Sequence, residues 1–180
     1  SLSDTVEKDA INLKIEQPVI AEIELATEFF DSIYESFFSD KDYEVVMKAQ
    51  GGAGDFYGTM KKFKKQNSEI SVVIDNQNMG DYGFVRNRYL LKNDSIYAIR
   101  TVKSDWSFDK AGLYKLTELY YYFSTDHVVI KSRVEEDREY RDSILSDSIP
   151  FIENLMLKDS VLNAKRQELQ SAFDYSSLEY

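Results

Sequence analysis

Two stretches decide the fold: YGFVRNRYLLKNDSIYAIRTVK at residues 82–103 and LYKLTELYYYFSTDHVVIKSRV at residues 113–134. Each is a pair of runs rich in Val, Ile, Tyr and Phe, broken by Asn93-Asp94 in the first and by Ser124-Thr125-Asp126-His127 in the second. The runs suit a pleated, half-buried surface, and the breaks are made of residues that accept turn geometry. The expectation is two consecutive β-hairpins joined by the loop SDWSFDKAG, residues 104–112.

The second hairpin fixes its own register. A loop over Ser124–His127 sets Phe123 opposite Val128, Tyr121 opposite Ile130, Tyr120 opposite Lys131 and Glu118 opposite Arg133. Opposite charges across the ladder favour this pairing over a one-residue slip, which would turn every side chain to the other face. The first hairpin does not resolve in the same way. An odd-length loop around Asn93-Asp94 groups Val85, Tyr89, Leu91, Tyr97 and Ile99, but it also sets Arg88 opposite Arg100, so the register stays open.

Upstream, residues 1–10 read as a flexible polar lead-in, and Ile11, Leu13 and Ile15 alternate as in a short strand. Pro18 suits the first turn of a helix, and Ile20, Ile23, Phe30, Ile33, Tyr34, Phe37 and Phe38 then recur at helical spacing. Strands follow at Tyr43–Gln50, Phe56–Phe63 and Glu69–Ile74, with a glycine-rich break at Gly51–Gly54 and a polar loop over Asp75–Asp81. Downstream, Glu135–Ser148 has the charge pattern of a helix, with Tyr140, Ile144 and Leu145 touching the body. After Pro150 the positions Ile152, Leu155, Met156, Leu162, Leu169 and Phe173 predict a long helix over Phe151–Phe173. The fold class is therefore α+β: one domain over 1–180, an antiparallel meander of six or seven strands packed by an N-terminal and a long C-terminal amphipathic helix.

Charge and composition narrow the chemistry. The net charge of −10 argues against general nucleic-acid binding. It is uneven: residues 1–81 carry 8 basic against 16 acidic side chains, 82–134 carry 9 against 5, and 135–180 carry 5 against 11. The hairpins form a mildly basic region between acidic flanks, which suits charge complementarity within the chain. With no Cys, disulfides, thiolate metal sites and thiol nucleophiles are excluded. No apolar run is long enough to span a membrane as a helix. The chain opens on Ser1, as after removal of a leader or an upstream segment; a cleaved export signal or an upstream lipid anchor is one expectation, and a trimmed chain would look identical.

No catalytic, metal or cofactor site emerges. His127 is the one histidine and sits in a predicted turn without the usual co-ligands. Gly51–Gly54 lacks the following Lys and helix of a phosphate loop, and Asp75–Asp81 misses the ligand positions of a calcium loop. Glu135 and Glu136 read as a solvated helix start, and Lys61, Lys62, Lys64 and Lys65 as a cluster too short for nucleic acid. Two features remain as candidate binding sites. Trp106 and Phe108 lie in the loop between the hairpins, and either plug the end of the core or anchor a sugar or protein partner. Arg86, Arg88, Arg100, Lys115, Lys131 and Arg133 spread over the hairpins among tyrosines, as snorkelling surface charges or as an anion or glycan platform.

The segment from Gly51 to Trp106, with GGAGDFYGTMKKF, a polar run ending in GDYG, and RNRYLLKNDSIYAI, resembles a group of uncharacterised exported or lipid-anchored proteins of Bacteroidetes-type bacteria. The resemblance covers about a third of the chain. It implies a location in the periplasm or at the outer-membrane surface, and it carries no enzymatic residues across. The functional expectation is a non-enzymatic envelope protein acting through protein–protein contact. The alternative is a carrier of an apolar or glycan ligand, cupped by a curved sheet with Tyr120 and Tyr122 in a pocket under the first helix.

Overall fold

The hairpin residues take their predicted places in an antiparallel sheet whose strands pair in strict chain order. The computed structural model describes residues 26–139 and 145–176. The lead-in, the strand at Ile11–Ile15, the first turns of the N-terminal helix, and Tyr140 and Ile144 lie outside these residues. Among the described residues there are eight strands, more than the six or seven expected. They are β1 Tyr43–Ala53, β2 Phe56–Lys65, β3 Ile70–Met79, β4 Gly83–Lys92, β5 Ser95–Trp106, β6 Tyr114–Phe123, β7 His127–Arg138 and β8 Ile152–Leu157. Helix α1, Ala26–Ser39, precedes them, and α2, Lys158–Ser176, follows.

The extra strand is β8. Ile152, Leu155 and Met156 have helical spacing, but the helix begins only at Lys158, and the preceding six residues pair with His127–Ser132 at the sheet edge. Glu135–Arg138 likewise continues β7 rather than opening a helix. Asp75–Met79 completes β3, leaving only Gly80–Tyr82 as a 3-10 turn. Gly83 then allows a close approach that no other residue could make: its φ is +126°, and a Cβ there would collide with the Ser104 carbonyl oxygen.

The register of β6 and β7 is the one that the charges set, with Glu118 opposite Arg133 and Phe123 opposite Val128. The first hairpin combines a two-residue turn with a bulge. Asn93 and Asp94 both have positive φ, as a type I′ turn requires, and the ladder shifts between Leu90↔Ala98 and Leu91↔Ile96. The shift makes Arg88 and Arg100 direct neighbours. It also takes Tyr97 away from Tyr89 and Ile99 and packs it with the rings on the opposite face.

The two faces carry separate cores. On one, Phe30 and Phe37 of α1 bury against Phe63, Val72, Leu90, Ala98 and Tyr120. On the other, Leu162 of α2 joins Met60, Val73, Tyr89, Ile99 and Val128. Helix α2 touches strands near both ends of the sheet, β1–β2 and β7–β8, so the sheet curves round it. The hollow of the curved sheet therefore holds a helix of the chain itself.

Candidate functional site

The residues singled out in the sequence separate into three settings. Tyr120, Tyr122 and Arg100 lie under or beside α1. Tyr120 meets Phe30 and Phe151 edge-to-face at 5.8 Å each, and Tyr122 meets Tyr97 at 5.7 Å. These rings fill the space beneath α1 where a carrier pocket was expected. Arg100 is committed to Glu118, which is 2% exposed: Arg100 Nε and Nη2 donate to one carboxylate oxygen at 2.9 and 2.7 Å, and Arg133 Nε donates to the other at 2.7 Å. Burial alone would raise the Glu118 pKa, but the two guanidinium groups outweigh it and hold the carboxyl below its ordinary value. Lys131 and Lys115 face Glu153 and Glu136 across the ladder at 3.1 and 4.0 Å.

Trp106 and Phe108 belong to an aromatic patch at one end of the sheet. The turns between β1 and β2, β3 and β4, and β5 and β6 all end there, bringing in Phe56 and Tyr82. Tyr82 is the hub, at 6.3 Å from Phe56, 5.9 Å from Trp106 and 6.3 Å from Phe108. Trp106 is half-buried, whereas Phe108 is 80% exposed and Tyr82 49%. A groove of about 470 Å³ runs beside these rings, walled by Phe56, Tyr82, Trp106 and Tyr114 and edged by Asp55 and Asp81. Both carboxylates lack a cationic partner among the described residues. Phe56 and Tyr82 were not read as site residues, because each lies in a different turn and only the sheet order brings them together.

Arg86 and Arg88 occupy a cleft beside α1. They alternate along β4 and so share a face, where their guanidinium groups sit over the rings of Phe84 and Tyr34 at 4.4 and 4.7 Å.

A further site lies on the opposite face and was not anticipated. A cleft of about 860 Å³ runs between α2 and strands β3–β6, with Met79, Val85, Leu119, Ala164 and Ala172 among its apolar walls. In its floor Asp75 is 0% exposed and accepts hydrogen bonds from Gln77 Nε2 at 2.5 Å and Asn87 Nδ2 at 2.9 Å. Thr101 Oγ1 donates to Asn87 Oδ1 at 2.7 Å, extending the chain of polar groups across three strands. Burial raises the Asp75 pKa, and the two amide hydrogen bonds only partly offset it. The available signal was a polar residue at mid-strand in each of three neighbouring runs.

No group of three or more metal-ligating side chains is present among the described residues, and no described helix is long and apolar enough to cross a membrane. No family model, curated protein or solved structure gives a significant match to the chain.

Proposed function

We propose that this is a non-enzymatic binding protein of the cell envelope that contacts a protein partner through the aromatic patch around Tyr82, Trp106 and Phe108. The carrying observation is a cluster of four neighbouring rings, three of them exposed and Trp106 half-buried, beside two carboxylates with no cationic partner among the described residues. Open aromatic clusters are unusual on a monomer surface and are the type of side chain that dominates binding energy at interfaces. Asp55 and Asp81 give the groove a negative edge, so the matching partner surface presents Arg or Lys, whose side chains stack on Tyr and Trp faces. The non-enzymatic reading is supported by Glu118, whose charge is consumed by Arg100 and Arg133. The envelope location rests on the sequence resemblance.

Trp106 is the chain's single tryptophan and reports on the groove directly. Titration with a short Arg-containing peptide should shift its emission saturably, an acidic peptide should not, and Tyr82→Ala or the pair Asp55→Asn and Asp81→Asn should abolish the response. A Trp106 that is already blue-shifted and shielded from acrylamide, and that ignores the basic peptide, sinks the reading.

The cleft over Asp75 supports a second reading, a carrier of a small, largely apolar ligand held beside α2 rather than under α1. Its size and its apolar walls over a few convergent polar groups are those of ligand sites in general. Native mass spectrometry of gently purified protein should then show a reproducible excess mass, and a bare chain under the same conditions counts against it.

A further inference from the structure

The sheet face beside α1 carries four basic side chains with no carboxylate partner among the described residues, in a chain of net charge −10. In the sheet register Lys48 faces Lys61, Lys61 faces Ile74, Ile74 faces Arg88, and Arg88 faces Arg100. One row further along, Thr59 faces Asn76 and Asn76 faces Arg86. Directly opposed residues share a face, so Lys48, Lys61, Arg86 and Arg88 project from the same side of the sheet. Arg100 is spent on Glu118, but among the described residues no carboxylate pairs with any of the other four.

The two arginines are also oriented. Each guanidinium carbon sits over a ring, Phe84 at 4.4 Å and Tyr34 at 4.7 Å, and a guanidinium group placed in this way binds an oxyanion through two parallel hydrogen bonds from its N–H edge. The cleft of about 630 Å³ next to them is lined by Tyr34, Tyr57, Thr59, Asn76 and Asn78. Thr and Asn supply hydroxyl and amide groups that both donate and accept, the pattern suited to sugar hydroxyls rather than to an apolar body. Tyr57 offers an exposed ring on which a sugar face can lie.

We infer that this cleft binds a polyhydroxylated oxyanion, with its acidic group on Arg86 and Arg88 and its hydroxyls on Thr59, Asn76 and Asn78. Lys48 and Lys61 extend the same positive field across β1 and β2 and attract a longer anionic chain toward the cleft. A sugar acid and a sugar phosphate present the same chemistry, and the test separates them.

The full chain is titrated calorimetrically at low salt with trigalacturonate, with glucose 6-phosphate, with the neutral galactose trisaccharide, and with a glutamate-rich peptide. One of the two acidic sugars should bind at least tenfold more tightly than the neutral trisaccharide and the peptide, and the one that binds identifies the source of the anion. Arg86→Gln with Arg88→Gln should reduce that affinity at least tenfold. Arg86→Lys with Arg88→Lys, which keeps the charge but removes the forks, should recover only part of it. Failure of both acidic sugars to bind overturns the inference, as does equal binding of the glutamate peptide or affinity unchanged in the Gln pair.

Discussion

Glu118 and Asp75 are the two buried carboxylates among the described residues, on opposite faces of one sheet, and the chain treats them in opposite ways. Glu118 is met by two guanidinium groups, and its pKa falls below the ordinary carboxylate range. Asp75 is met by two side-chain amides and no cation, and its pKa rises. A carboxylate held by ions from β5 and β7 ties three strands in register and has no charge left to offer. A carboxylate held by neutral amides keeps an unbalanced charge, while it orients Gln77 and Asn87 in the floor of the cleft beneath α2. Glu118 is thus a clamp, and Asp75 is a support for polar groups that line an open site.

The larger effect should come from breaking the clamp. Glu118→Gln keeps the shape but leaves Arg100 and Arg133 facing a neutral group, and uncompensated buried charges of this kind cost about 3–5 kcal/mol. Both arginines retain some access to solvent, at 25% and 13% of the side chain, which places the expected loss near the lower end. Urea unfolding at neutral pH measures it, and a loss smaller than that of an ordinary surface substitution, about 0.5 kcal/mol, would remove Glu118 from the role of clamp.

Half of the clamp, Glu118 opposite Arg133, was legible in the sequence, whereas Arg100's part in it and the support were not. Glu118 and Arg133 could be paired on paper because a short turn fixes the offset between β6 and β7 and opposite charges select one register. In the first hairpin the bulge near Tyr97 shifts the ladder by one residue, and nothing in the side-chain pattern announces a bulge. Asp75-Asn76-Gln77-Asn78 looked like a loop because it is polar at every position. It is a strand whose two faces both open into clefts, with Asp75 and Gln77 toward α2 and Asn76 and Asn78 toward Arg86. Alternation fails as a signal where neither face of a strand is covered by apolar packing. β8 escaped for a related reason: as an edge strand with Ile152, Met156 and Leu157 exposed, it has no buried face to impose a period of two. The rings of the aromatic patch were half visible, since Trp106 and Phe108 are close in sequence while Phe56 and Tyr82 arrive from separate turns.

The smaller effect, and the sharper test of the comparison, is the sign of the pH dependence. Glu118 has a lowered pKa, so its contribution is present above the unfolded value of 4.5 and is lost as pH falls through the folded pKa beneath it. The advantage of the wild type over Glu118→Gln should therefore shrink on acidification. Asp75 has a raised pKa, so ionising it disfavours the fold, and stability is lost as pH rises from the unfolded value of 3.8 through the folded pKa above it. Asp75→Asn exchanges one amide hydrogen bond for a mismatch and removes the buried charge, so at neutral pH it should lie within about 2 kcal/mol of the wild type. As pH falls toward about 4, the wild type should gain on this variant by roughly 1.4 kcal/mol for each unit by which the Asp75 pKa is raised. The two variants thus move in opposite directions against the same wild-type curve in urea unfolding at neutral pH and at about pH 4. If both gaps close on acidification, Asp75 is stabilised as an anion like Glu118. Its amides then supply what the guanidinium groups supply on the other face, and the distinction between clamp and support fails.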